Sequence, residues 1–223
     1  MTNFGPLFLT LYLAIIATLI LLIIGTPLAW WLATTRSKFK PAAEALTALP
    51  LVLPPTVLGF YLLILFNPNS AIGGFWVTLT GESLTFSFAG LVIASVIYSL
   101  PFMVQPLQSA FEGVGVEMRE AAASLRASPR ETFFKIVMPL SKRGFLTASI
   151  LTFAHTLGEF GVVLMVGGNI PGRTKVISIA IYEHVETLQY SQAHILSAIL
   201  LCLSFFTLLV IYIFNRRHRV HVG

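Results

Sequence analysis

The stretch GGNIPGRT, from Gly167 to Thr174, is the first candidate for chemistry in this sequence. It follows the apolar run Val162–Val166 and matches the phosphate-binding loop pattern G-x-x-x-x-G-K-[ST], except that Arg173 replaces the lysine. Such a loop cradles nucleotide phosphates when a buried strand precedes it, a helix follows it and an aspartate elsewhere holds magnesium. The chain contains no aspartate, which weakens the nucleotide interpretation.

A second candidate is the pair His155 and Glu159, which are four residues apart and would share one face of a helix. A carboxylate in hydrocarbon is costly, so Glu159 should face the bundle interior or water and pair with His155 or a backbone donor. We expect no metal site because a third ligand is missing, and a proton relay stays open. A structural or gating role is expected for Glu159, and the translocation path or gate would include His155, Gly158, Glu159 and Gly161.

The composition places both candidates in a membrane. Of the 223 residues, 56% are hydrophobic and 10% are charged. A chain of this composition has too few polar residues to cover the surface of a soluble protein. Hydrocarbon about 30 Å thick needs roughly 20 helical residues to cross it. Five stretches reach that length: Phe8–Thr34, Glu44–Phe66, Phe86–Leu107, Phe145–Gly167 and Ala193–Phe214. We predict an all-α polytopic membrane protein with five transmembrane helices in one domain, residues 1–223.

The basic residues predict the orientation, because short cytoplasmic loops retain Lys and Arg. They cluster after the first span, between the third and fourth spans, and at the C-terminus: Arg36, Lys38, Lys40, Arg119, Arg126, Arg130, Lys135, Lys142, Arg143, Arg216, Arg217 and Arg219. These three segments share one side of a five-span chain. The N-terminus is therefore expected outside and the C-terminus inside, and the net charge of +5 indicates topology and no nucleic-acid partner.

This orientation makes GGNIPGRT an extracytoplasmic loop, where no ATP is found. Its glycines and proline would end the fourth span and form tight turns. An external partner could also contact this rim, whose candidate residues are Gly168, Asn169, Pro171 and Gly172.

Other segments depart from a simple spanning pattern. Thr174–Leu188 has apolar residues at helical spacing and predicts an amphipathic helix that lies in the outer interface or dips partway into the membrane. Asn67–Thr85 predicts an outer loop. Prolines should interrupt two spans, and such defects persist where neighbouring helices or a water-lined cavity satisfy the freed backbone groups. They are Pro50, Pro54 and Pro55 in the second span, with Gly59, and Pro101 and Pro106 in the third.

The cytoplasmic segment Glu117–Gly144 predicts two short helices. The first contains Glu120 and a run of alanines that permits close approach by another protein. The second begins with a capping pattern of Ser128, Pro129 and Glu131, and Pro139 is expected to end it. Its apolar residues should lie against their own bundle or insert into a partner's groove.

The stretch EAAASLRASPRETFFKIVMPL in this segment resembles the coupling-loop signature of ABC-importer permeases, E-A-A-x-x-x-G-x(9)-I-x-L-P. Residues 156–186 are similar to the matching part of molybdate/tungstate permeases. The resemblance implies a homodimer in a bacterial or archaeal plasma membrane. It also implies two copies of a cytoplasmic ATPase that bind ATP and Mg²⁺, an external oxyanion-binding protein, and no cofactor in this chain. The residues expected to couple to the ATPase are Glu120, Ala121, Ala122, Ser128, Pro129, Phe133, Ile136 and Pro139.

Three residues depart from that signature. Arg126 replaces the glycine, which would cost roughly 1–2 kcal/mol in a left-handed conformation, so the turn should be reshaped or the first helix extended. Met138 replaces a leucine, which is a small change in volume. Arg143 replaces a frequent proline before the fourth span and affects how that helix begins.

Several functions stay open at this point. The resemblance favours molybdate as cargo, with tungstate, sulfate or another oxyanion as alternatives. A stand-alone proton-coupled transporter would explain His155 and Glu159 but not the coupling segment. An intramembrane enzyme would need a nucleophile with a base or a metal motif, and neither pattern occurs in the sequence.

Overall fold

The computed structural model describes residues 4–216, with side chains through Ile213. Every regular element in this range is helical, which confirms the predicted all-α class. The helices are α1 (Gly5–Thr34), α2 (Lys40–Val52), α3 (Pro55–Phe66), α4 (Ala71–Thr80), α5 (Phe88–Glu112), α6 (Val116–Ser124), α7 (Pro129–Thr132), α8 (Met138–Leu140), α9 (Lys142–Leu157), α10 (Gly161–Gly167), α11 (Ile177–Glu186) and α12 (Tyr190–Arg216). A π-helical turn, Phe133–Val137, joins α7 to α8. Arg217 and Arg219, used in the orientation prediction, lie outside the described residues, as does the side chain of Arg216.

Between three and five spans are present in the described part of the chain. α1, α5 and most of α12 are each long and apolar enough to cross a membrane. Two bent pairs pass the same test together: α2 with α3, bent by 111°, and α9 with α10, bent by 61°. The second span, Glu44–Phe66, is interrupted as its prolines predicted, whereas the fourth span, predicted as the continuous helix Phe145–Gly167, is broken after Leu157.

Both breaks have local causes. Pro54 and Pro55 cannot donate backbone hydrogen bonds, and Leu53 takes the extended conformation (ψ 135°) that a following proline favours. At the end of α9, the amides of Gly158 and Glu159 bond to carbonyls three residues back, at 3.1 and 3.4 Å, so the α-helical ladder stops.

α5 is the central helix of the bundle and packs against α1, α2, α9 and α10. It runs unbroken through Pro101 and Pro106, so the predicted interruption of the third span is wrong. Each proline removes one hydrogen bond, but α5 is enclosed by neighbouring helices along its length, and Met103 and Leu107 between and beside the prolines are fully buried. Packing therefore keeps the helix continuous where an isolated one would bend.

The basic segments and the loop GGNIPGRT lie at opposite ends of the helix bundle. Trp30 near the end of α1 contacts Phe111 near the end of α5, with ring centroids 5.8 Å apart, and α9 begins beside them. The basic segments 36–40 and 119–143 therefore meet at one end. At the other end, the amide of Phe86 before α5 bonds to the carbonyl of Val166 at 2.9 Å, next to GGNIPGRT.

The two segments predicted outside the spans are partly helical. Asn67–Thr85, expected as a loop, contains α4, which Ser70 caps by accepting a hydrogen bond from an amide at 2.9 Å. The amphipathic helix expected over Thr174–Leu188 is α11, and it packs against α1 and α12 with Ile177 fully buried. Leu188 lies beyond the helix and is 71% exposed.

Gly144 allows α5 and α9 to approach each other closely. A Cβ at this position would lie 2.2 Å from the Cβ of Ala110, which no pair of side chains tolerates. We expect Gly144→Ala to lower the free energy of unfolding by about 1–3 kcal/mol through forced separation of the helices. The measurement is thermal unfolding in detergent, with Gly113→Ala as the control because its Cβ would meet nothing closer than 3.4 Å. Equal melting temperatures for the two variants would contradict this packing.

Candidate functional site

The first helix of the segment 117–144 ends in a left-handed turn at Arg126, whose φ is +60°. The amide of Ala127 donates to the carbonyl of Ala122 at 3.0 Å, and the amide of Arg126 donates to the carbonyl of Ala123 at 2.9 Å. This pair of hydrogen bonds is the one that normally accompanies glycine at a helix end. The helix is therefore not extended and the turn keeps its glycine-type form, at the cost of roughly 1–2 kcal/mol for a left-handed arginine.

The second helix begins at the predicted cap. The amide of Ser128 donates to Glu131 Oε2 at 3.0 Å, and the amide of Glu131 donates to Ser128 Oγ at 3.2 Å. The Nζ atom of Lys135 lies 3.0 Å from Glu131 Oε1. The Ser128 amide, followed by Lys135, lowers the pKa of Glu131 to about 2. The capping box therefore stays charged and closed at physiological pH.

One side of this second helix packs against its own bundle. The ring of Phe133 lies 5.3 Å from that of Trp30 and 5.7 Å from that of Phe111, and Val137 is fully buried. Pro139 does not end the second helix as predicted. The helix widens into the π-helical turn and continues past Pro139 to the end of α8. The wider turn fits a proline that cannot donate to the α-helical ladder.

The other side of the segment faces away from the bundle. Leu125 is 84% exposed and Leu140 is 60% exposed at the polar end of the molecule. Large apolar side chains exposed at a polar surface suit contact with another protein. The predicted coupling residues divide accordingly: Glu120, Ala121, Ser128, Pro129 and Pro139 are exposed, Phe133 and Ile136 are half-buried, and Ala122 is buried.

Glu159 lies in the break between α9 and α10 and is only 4% exposed. Its Oε2 accepts a hydrogen bond from Ser95 Oγ on α5 at 2.5 Å, and its backbone carbonyl accepts one from Ser178 Oγ at 2.5 Å. The predicted pairing with His155 on a shared helical face is wrong. Because α9 ends at Leu157, the two residues do not share a helical face, and their side chains find separate partners on α5.

His155 is held by α5 through a different set of contacts. Its Nδ1 lies 2.9 Å from Ser99 Oγ, which also contacts Thr156 Oγ1 at 3.0 Å. The imidazole stacks on the ring of Phe102 with centroids 3.9 Å apart, and the ring of Tyr98 lies 4.8 Å away. These contacts fix the position of the ring next to the break.

A cavity of about 620 Å³ lies where the two helix breaks meet. A Cβ on Gly161 would come within 2.7 Å of Pro55 Cβ, so the backbone of α10 presses directly on the start of α3. His155, Gly158 and Glu159 line the cavity, and no lysine or arginine is among its described lining residues. Glu159 Oε1 has no hydrogen-bond partner within the described structure. The described lining of this cavity therefore offers no lysine or arginine to hold an anion.

Sequence reasoning missed the partners that α5 contributes. Ser95 and Ser99 are one helical turn apart, and that spacing of small polar residues in an apolar helix was the available signal. It also missed that Gln108 Nε2 donates to Glu44 Oε1 at 2.7 Å. Glu44, predicted to begin the second span, belongs to a polar cluster at the end of the bundle.

The loop GGNIPGRT follows helix α10, and this position excludes the strand that a phosphate-binding loop needs. Gly168 and Gly172 have φ values of +64° and +75°, which explains their residue type. Asn169 Nδ2 donates to Glu183, and Lys175 Nζ lies 2.6 Å from the same carboxylate. Lys175, and then Asn169, hold the pKa of Glu183 below its usual value. The loop is tied to α11 by these charged contacts.

Comparisons with known proteins connect these regions to a family. The family model "Binding-protein-dependent transport system inner membrane component" matches residues 25–220. The molybdenum transport system permease protein ModB of Azotobacter vinelandii is 56% identical over 204 residues, or 92% of this chain and 90% of that protein. The sulfate transport system permease protein CysT of a Synechocystis strain is 33% identical over 202 residues, or 91% and 70%.

Among solved structures, a bacterial alginate ABC transporter in complex with a pentasaccharide-bound periplasmic protein has a TM-score of 0.77. The match covers 97% of this chain and 79% of that one at 15% identity, so it supports the fold alone. The resemblance to ABC-importer permeases inferred from the coupling signature is confirmed. The chain belongs to the family of binding-protein-dependent transport-system inner-membrane components.

Proposed function

We propose that this chain is the permease subunit of an ATP-driven, binding-protein-dependent importer of molybdate, with tungstate as an alternative cargo. The observation that carries the proposal is the 56% identity to a molybdenum permease along 90% of its length. The chain is a transport component rather than a catalyst, and ATP and Mg²⁺ would bind to a separate ATPase.

Sulfate is the second candidate cargo, because a sulfate permease is 33% identical over a similar share of the chain. The lower identity favours molybdate. A stand-alone proton-coupled carrier is disfavoured, since the family is defined by its dependence on a binding protein.

The proposed membrane arrangement has five spans, with the N-terminus outside and the C-terminus inside, in one permease domain. α1, α5, α12 and the two bent pairs supply the spans. The clustering of basic segments 36–40 and 119–143 at one end of the bundle supports a cytoplasmic position for that end. The loop 167–174 would then contact the external binding protein.

This orientation predicts opposite labelling at the two ends. Pro171 is exposed in the outer loop, and its replacement leaves the Asn169 to Glu183 contact intact. In a Cys202→Ser background, Pro171→Cys should react with an impermeant thiol reagent added to intact cells. Ser37→Cys, exposed at the basic end, should react only after the cells are opened. The reverse pattern would contradict the orientation.

The coupling segment would transmit ATP binding to the spans. Its exposed side would enter a cleft on each of two ATPase subunits, while Phe133 and Val137 anchor its other side to α1 and α5. Movement of the segment would therefore be passed directly to the helices that hold the bundle together. A second copy of the chain would complete the pathway, as two coupling segments are needed for two ATPases.

The gate would lie at the cavity between the broken helices. Membrane proteins accommodate non-helical backbone at depth where it is buried in protein or lines a cavity, as it does at these two breaks. Because Glu159 lines the cavity and its described lining residues include no lysine or arginine, the permease would bind the oxyanion weakly. Affinity would come from the external binding protein, and passage would depend on a change between two states of the breaks.

Uptake by vesicles tests this function. The permease, its ATPase and its binding protein should together accumulate molybdate when ATP is supplied, and omission of any one should abolish uptake. Excess sulfate should compete poorly. Uptake by the permease alone, or sulfate transport faster than molybdate transport, would overturn the proposal.

A further inference from the structure

An apolar groove of about 910 Å³ lies on the outside of the bundle, away from the proposed gate. Its walls come from α1, from the second coupling helix (α7 to α8 of the segment 117–144) and from α9. They include Ile23, Trp30, Phe134 and Leu146. Ile23 is 74% exposed and Phe134 is 62% exposed, so the groove is open along its length. The oxyanion pathway makes no use of it.

Two cations stand at the polar end of this groove. Arg130 and Lys142 both line it, and within residues 4–213 no carboxylate lies within salt-bridge distance of either. Glu131, beside Arg130 in sequence, bonds to Lys135 instead. The groove therefore has apolar walls along its length and unpaired positive charges at its polar end.

The depth of the groove decides what it fits. Ile23 lies seven residues before Trp30 on α1, which places it about 10 Å further along the helix axis. With Trp30 at the membrane interface, the groove extends that distance into the hydrocarbon region, where a water-soluble ATPase does not reach. A second copy of the chain would have to bring carboxylates to the two cations. An anionic phospholipid matches both features, because its phosphate meets the cations and its acyl chain fills the apolar walls.

We propose that this groove is a binding site for one anionic phospholipid of the cytoplasmic leaflet. The site rests on the proposed membrane orientation but not on the identity of the cargo. A bound lipid would lie between α1 and the second coupling helix. It would stabilise the contact between these two helices, through which the ATPase would move the bundle.

Fluorescence quenching at Trp30 tests the proposal. The full chain carries Trp31→Phe and Trp76→Phe, which leaves Trp30 as its single tryptophan, and it is reconstituted into phosphatidylcholine vesicles. Brominated phosphatidylglycerol or brominated phosphatidylcholine is then added at equal mole fractions. We expect the anionic lipid to quench Trp30 with a preference on the order of tenfold in relative association, as expected for two basic contacts.

Matched charge variants provide the control. Arg130→Gln with Lys142→Gln should abolish the preference, whereas Arg36→Gln with Lys38→Gln removes the same charge at the same end of the bundle and should retain it. Equal quenching by both lipids in the unaltered groove would overturn the proposal, and so would a preference that survives loss of Arg130 and Lys142. Absence of quenching by either lipid would also overturn it, because a protein surface would then cover the groove. The assay contains no ATPase, binding protein or oxyanion, so its result is independent of the transport test.

Discussion

Glu120→Arg is expected to release the ATPase from the permease while leaving the permease folded. Glu120 is exposed on α6, and its backbone carbonyl accepts a hydrogen bond from Ser124 Oγ at 3.0 Å within the same helix. Reversal of a charge that is buried only in a complex costs about 2–5 kcal/mol, or roughly thirtyfold or more in Kd. Co-purification of the two subunits should therefore fail, and ATP-dependent uptake should be lost with it.

The matched control for this variant is Glu82→Arg, which makes the same charge change beyond α4 at the other end of the bundle. Glu82 is also exposed, so both variants should show the melting temperature of the parent protein in detergent. Normal recovery of the ATPase with Glu120→Arg would show that α6 lies outside the contact.

Glu159→Gln is expected to reduce the uptake rate by roughly tenfold without loss of the assembled complex. The amide oxygen of glutamine still accepts the hydrogen bond from Ser95, so the local packing is retained. The carboxyl group that lines the cavity is replaced by an amide, which can carry no negative charge to act on the passing oxyanion. Initial rates of molybdate uptake and recovery of the ATPase would be measured on the same preparations.

Thr152→Val provides the comparison for the Glu159 variant. Thr152 is buried in α9 three residues before His155, and its hydroxyl donates to no described group. Removal of an unpaired buried hydroxyl should be close to neutral, so transport should persist. Full uptake with Glu159→Gln would show that this carboxylate is structural and that the gate lies elsewhere.

The coupling segment was the part of the structure most accessible to sequence reasoning. Its cap depends on residues three positions apart, Ser128 and Glu131, and the hydrogen bonds form between these same groups. The all-α class followed in the same way from composition. The left-handed Arg126 was only half predicted, because the pattern showed a strained position but not whether the strain would persist.

The spans were harder to predict because hydropathy records how apolar a stretch is and not whether it is continuous. The second and third predicted spans both contain prolines but behave differently: α5 passes through Pro101 and Pro106, whereas the chain bends by 111° after Leu53. The difference lies in the neighbours, since α5 is enclosed on several sides. Contacts between distant parts of the chain are not visible in a single sequence.

The candidate gate shows the same limit. A helical spacing of four suggested that His155 and Glu159 would meet. Their partners are instead Ser99 and Ser95, which are 56 and 64 residues away along the chain. The sequence identified which residues matter in this region, and tertiary packing decided which of them touch.

The central claim is that a separate ATPase binds the coupling segment. Photo-crosslinking from the exposed side of this segment tests it most directly. A photoreactive phenylalanine replaces Leu125, which is 84% exposed at the basic end between the two helices of the coupling segment, or Phe75, which is 69% exposed on α4 at the other end. We expect a crosslink to the ATPase from position 125, altered in yield by ATP, and none from position 75. No crosslink from position 125 in an assembled and active complex, or equal crosslinking from both positions, would contradict this claim.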